Sequence, residues 1–132
     1  MSNLVTTTSS STSIRYSLPK LMLHIEGLAI LIAAAALYAS QGYSWLAFAL
    51  LLLTPDLVML GYLWNIRTGT ILYNLGHTYT GPLLLSGVSL LTGSDMGLQF
   101  SLIWLAHIGM DRTVGYGLKY PDSFKETHLY RV

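Results

Sequence analysis

Two runs in this chain, AILIAAAAL at 29–37 and AFALLLL at 47–53, show no polar residue on any helical face. A helix on a soluble bundle pairs an apolar stripe with a polar face. These runs cannot do so, and long apolar runs of this kind read as membrane spans. The charge content agrees. The chain is 10% charged, against about 25% in an ordinary soluble domain, so a water-facing surface would be hard to build.

Crossing ~30 Å of hydrocarbon takes about 20 mostly apolar residues. Four stretches qualify: 21–39, 43–64, 69–91 and 96–114. Short polar connections at 40–42, 65–68 and 92–95 make neighbours antiparallel. The expected fold is all-α, a four-transmembrane-helix antiparallel bundle without internal repeats. Residues 21–132 form that domain and its short C-terminal segment. Residues 1–20 are rich in Ser and Thr and read as a disordered tail. They lack the basic start, short apolar stretch and cleavage site of a signal peptide.

The seven basic residues set the orientation. Arg15, Lys20, Arg67, Arg112, Lys119, Lys125 and Arg131 all fall in the two termini or the 65–68 loop. With four spans these segments share one side, which the positive-inside rule makes cytoplasmic. Both termini are therefore expected in the cytoplasm, with lipid as the surrounding partner. The net charge of +1 attracts no nucleic acid, and no nucleic-acid module is present. Cysteine is absent, so thiolate metal sites and disulfides are excluded. There is no Walker-type loop and no GxSxG.

Ionisable groups inside a span cost about 2.5–3.5 kcal/mol each and so call for a reason. Here they fall at one depth. At about 1.5 Å per residue, Glu26 lies ~8 Å from the cytoplasmic end of the first span and Asp56 ~12 Å from that of the second. Asn74 and His77 lie about 8–12 Å into the third, and His107 about 6 Å from Asp111 in the fourth. His107 and Asp111 are i, i+4 and share a face, as Asn74 and His77 do at i, i+3. Pro55 frees a carbonyl near Leu51, tolerated where a helix borders a cavity. These positions predict a shared polar pocket in the cytoplasmic half. His77, His107 and Asp111 are candidate ligands for a divalent zinc, iron or manganese ion. Glu26 or Asp56 would complete the shell or act as general base. Tyr79, Tyr116 and Lys119 are candidate substrate contacts, and Gly115 and Gly117 permit the chain to turn after the fourth span.

HIEGLA, TPDLVMLGY, LYNLGHTY and WLAHIGMDRTVGYGLKYPDSFKETHL together resemble the small bacterial integral-membrane family called domain of unknown function 4260. The resemblance spans residues 21–129, and its last segment is the most specific. It implies a multi-pass protein of the bacterial inner membrane and no particular catalytic residue. The residues themselves support three readings: a metal-dependent membrane enzyme, hydrolase-like, on an apolar or lipid substrate; a small proton- or ion-coupled carrier, as a homo-oligomer because four short spans make a narrow pore; and a structural subunit of a membrane complex.

Overall fold

The computed structural model describes residues 18–118, and all its regular elements are helical. Helix α1 spans Leu18–Ser40, α2 Trp45–Leu51, α3 Ile66–Gly76, α4 Thr80–Thr92 and α5 Asp95–Val114. A 3₁₀ segment, Thr54–Leu63, links α2 to α3. The expected Ser/Thr-rich tail at 1–17 lies outside the described residues.

The cap chemistry explains the boundaries. Ser44, Asn65 and Ser94 each accept the backbone N–H three residues on, from Ala47, Thr68 and Gly97; a side-chain oxygen at the N-cap satisfies a donor the helix cannot. Gly93 and Gly115 end α4 and α5 with φ of 69° and 100°, the left-handed C-cap that glycine adopts without strain.

Two segments are long and apolar enough to cross a membrane: Leu18–Ser40 and Trp45–Leu63. In their most apolar windows only 17% and 6% of residues are buried within the chain. A core helix of a soluble protein would be mostly buried, so these faces look outward to something else. The polarity of the interior agrees. Thr70, His77, Ser89, Ser101, His107, Asp111 and Arg112 are buried, while Leu46, Leu50, Leu63, Leu90 and Leu91 are exposed.

The second and third expected spans are not continuous α-helices. The stretch 43–64 divides into α2 and the 3₁₀ segment, and 69–91 divides between α3 and α4 at residues 77–79. Pro55 causes the first change. It has no N–H for the carbonyl four residues earlier, and the Thr54 hydroxyl donates to that Leu51 carbonyl instead, at 2.6 Å. The second break is held from α5. The Trp104 indole donates to the Gly76 carbonyl at 2.6 Å and Arg112 Nη2 to the His77 carbonyl at 2.9 Å. Two carbonyls that a helix end would leave bare are thereby satisfied.

Helix α5 organises the fold. It runs antiparallel to α1: His24 Nδ1 lies 2.8 Å from the Thr113 carbonyl, while Gln99 donates to the Tyr38 hydroxyl at 2.9 Å near the other end. Tyr38, fully buried, donates in turn to the Ser44 carbonyl at 2.5 Å and packs with Leu102 and Ile103. On α5's other side, Ser86 of α4 donates to Ser101 at 2.8 Å. The 3₁₀ segment and α3 form an antiparallel hairpin, in which Tyr62 meets Thr70 at 3.2 Å and Val58 packs against Gly76.

Candidate metal centre

Each break delivers one polar side chain. Asp56 follows Pro55 in the first turn of the 3₁₀ segment, and His77 is the residue that ends α3. Helix α5 supplies His107 and Asp111 from one face, one turn apart. These four converge, and one donor atom from each lies within 4.8 Å of all the others.

Five of the six distances within the group lie between 3.1 and 3.4 Å, and the sixth, between the two carboxylate oxygens, is at most 4.8 Å. His77 Nε2 is 3.1 Å from Asp56 Oδ1 and 3.4 Å from Asp111 Oδ2. His107 Nε2 is 3.3 Å from each of the same two oxygens. The two Nε2 atoms are 3.1 Å apart. A tetrahedral ion with bonds of about 2.0–2.1 Å places its ligands about 3.3–3.4 Å apart along every edge. Five edges of this group therefore fit an ion of that size.

The donor chemistry fits as well. His77 Nδ1 lies 2.9 Å from the Tyr73 carbonyl, which can only accept. Nδ1 therefore carries the hydrogen, which leaves Nε2 as the nitrogen that faces the centre and can offer a lone pair to an ion. A backbone carbonyl holding the far nitrogen of a metal-binding histidine is the usual outer support. Tyr73 also stacks on the His77 ring, with centroids 3.8 Å apart and planes 11° from parallel. His107 Nδ1 is buried without a hydrogen-bond partner among the described residues.

Access is uneven. The side chains of His107, His77 and Asp111 are 0%, 1% and 13% exposed, whereas that of Asp56 is 39% exposed. The centre is thus closed on three sides and opens at Asp56.

Of the other candidate residues, Glu26 lies outside the group and is exposed. The physical reason is helical phase. The face of α1 turned to α5 carries Gly27, Ala34 and Tyr38, and a residue adjacent to Gly27 is rotated about 100° from it. Asn74 is half-buried on α3 and is not one of the four. Tyr79 sits in the break between α3 and α4, its buried hydroxyl unpaired among the described residues, under the Arg112 guanidinium at 5.9 Å. The Tyr116 side chain is 54% exposed; its backbone N–H donates to the Asp111 carbonyl at 2.7 Å. Lys119 lies outside the described residues.

Residues 20–132 match the family described as Domain of unknown function (DUF4260). The chain belongs to that family. No curated protein and no solved structure matches it. In this DUF4260 chain the segments carrying the family resemblance, TPDLVMLGY, LYNLGHTY and WLAHIGMDRTVGYGLKY, are those that supply Asp56, His77, His107 and Asp111.

Arg112 is the residue whose role composition alone hides. At the end of a span it reads as an interfacial anchor, yet it is 6% exposed. Its fork donates to the His77 carbonyl and, through Nη1 at 3.1 Å, to the Tyr116 carbonyl. It ties the broken span to the turn after α5, and so holds His77 in place. Lysine keeps the charge but not the planar fork. Arg112→Lys is expected to weaken metal binding by about 10–100-fold, the usual loss when an outer support of a ligand is removed. A competitive titration against a zinc chelator measures it, and an unchanged affinity would show that the fork does not position His77.

Proposed function

We propose that this DUF4260 chain is a multi-pass membrane metalloprotein in which Asp56, His77, His107 and Asp111 hold one divalent ion, and that the ion serves hydrolysis of an apolar or lipid substrate. The observation carrying the reading is the set of five near-equal distances, 3.1–3.4 Å, among four converging donors. Two imidazoles and two carboxylates suit zinc, iron or manganese. Held by His77, His107 and Asp111, with Asp56 yielding the fourth position, an ion would supply a Lewis acid for an ester or phosphoryl oxygen and make a bound water more acidic. Asp56, the accessible ligand, lies on the side from which substrate arrives. His77, His107 and Asp111 hold the ion from the closed side.

The topology proposed is four spans with both termini cytoplasmic, in the bacterial inner membrane. The first span is α1, the second α2 with the 3₁₀ segment, the third α3 with α4, and the fourth α5. In support stand the outward apolar faces of the first two, the polar interior, and the placement of every basic residue on one side. Helix α5 is less apolar because its inward face carries Gln99, Ser101, His107, Asp111 and Arg112.

One observation favours a second reading. Both interrupted spans place a ligand at the interruption, as carriers do around a transported ion. The metal would then be cargo. Metal analysis of the full chain purified in detergent, followed by two assays, separates the readings. The expected result is one equivalent of tightly held metal, chelator-sensitive hydrolysis of chromogenic ester or phosphodiester substrates in micelles, and no zinc flux into proteoliposomes. Zinc flux without hydrolysis establishes the carrier instead. A protein that takes up no zinc, iron or manganese refutes both.

A further inference from the structure

We propose that the substrate of this centre is amphipathic, with its polar head at the ion and a single hydrocarbon chain seated in the groove beside Asp56. The inference rests on the metal-centre reading and adds the class of substrate. The groove encloses about 190 Å³ and is lined by Thr54, Pro55, Val58, Gly76, Phe100 and Trp104. Its walls come from the elements that hold the ligands. Pro55 immediately precedes Asp56, Gly76 immediately precedes His77, and Trp104 is three residues before His107 on α5. The groove and the centre thus share their backbone walls, though none of the four ligands lines the groove itself.

The lining says what fits. No charged side chain faces the groove. Its two side-chain donors are already committed, the Thr54 hydroxyl to the Leu51 carbonyl and the Trp104 indole to the Gly76 carbonyl, each at 2.6 Å. An occupant finds no free side-chain donor to bind and gains only by burying apolar surface, which selects a hydrocarbon. Leu53, Leu57 and Leu60 around the same 3₁₀ segment are exposed, so the approach to the groove is apolar too. Glycine at 76 keeps the space open: a side chain there would press on both Val58 methyls at 3.1 Å.

The test uses the full chain in micelles, loaded with cobalt, whose visible spectrum reports a ligand at the ion. The probes are straight-chain hydroxamic acids from acetohydroxamic to decanohydroxamic acid. A metal-binding head is thus constant while the chain grows. Affinity is expected to rise about fourfold for each methylene that enters the groove. Val58→Phe, which fills the groove, is expected to leave acetohydroxamate binding unchanged and to flatten the series in the same micelles. Phe100→Ala removes a wall instead; it weakens decanohydroxamate several-fold, spares acetohydroxamate, and decides the matter if Val58→Phe does not load cobalt. A chain-length series that is the same in wild type and variants reflects detergent partitioning alone and overturns the groove assignment, leaving the metal centre intact. A cobalt spectrum that responds to no hydroxamate, acetohydroxamate included, means that the ion has no open position and overturns the hydrolytic reading and this proposal with it; a protein that loads no cobalt overturns the metal centre itself.

Discussion

His107→Ala is expected to lower zinc affinity by at least about a hundredfold and to abolish chelator-sensitive hydrolysis. Loss of an outer support alone costs about 10–100-fold, and His107 is proposed as a ligand itself, 3.1–3.3 Å from three other donors. His77→Ala should match it. Asp56→Asn should cost less, because Asp56 is the open side of the group and an amide oxygen can still coordinate weakly. Metal content by mass spectrometry decides the reading. In a metal centre the wild type carries one equivalent and His107→Ala little. In hydrogen-bonded packing neither binds metal, and His107→Ala only destabilises the fold, by about 1–3 kcal/mol, the cost of stranding buried polar partners; unfolding in mixed micelles measures it.

Gly109→Val is expected to be the most destabilising change away from the centre. Here α1 and α5 touch backbone to backbone. A Cβ at Gly109 would stand 2.7 Å from the Leu31 nitrogen and 2.8 Å from the Gly27 carbonyl oxygen. Neither atom belongs to a flexible side chain, so α1 itself must move. One added carbon, as in Gly109→Ala, should cost about 1–3 kcal/mol, as overpacking a fitted interface does; valine should cost more. Gly27 makes the reciprocal contact, where a Cβ would collide with the Cβ of Arg112. Gly87→Ala is the comparison: it lies within α4 with nothing inside 4 Å, and alanine is the better helix former by about 1 kcal/mol. It should be neutral or stabilising. Equal effects at 87 and 109 would mean that close helix approach does not explain the glycine at 109.

Much of the site was legible as pairs of residues. His107 and Asp111 share a face because i and i+4 always do on a helix, and the depth argument placed Asp56 and His77 near their level. Glu26 passed the same depth test and is nonetheless outside the group, because depth is an axial coordinate and says nothing of which way a residue faces. That direction depends on the partner of α1, and α1 turns Gly27, Ala34 and Tyr38 toward α5. Pro55 announced a disturbed helix. It did not announce a ten-residue 3₁₀ segment, since how a chain relaxes around proline depends on what its freed carbonyls find.

Local chemistry was enough for the apolar runs with no polar face and for the ends of α1, α4 and α5, close to the polar turns at 40–42 and 92–95 and to Gly115. These depend on neighbours within a turn or two, and so can be read along the chain. The break at His77 was only half legible. Pro82, in the first turn of α4, has no N–H for the Thr78 carbonyl, but the residues that satisfy the Gly76 and His77 carbonyls, Trp104 and Arg112, lie 28 and 35 residues away in sequence. The same long-range packing makes Arg112 a clamp and brings four donors to within 4.8 Å of one another. A helix can dictate which of its own residues share a face; only its contacts with other helices dictate which donors meet.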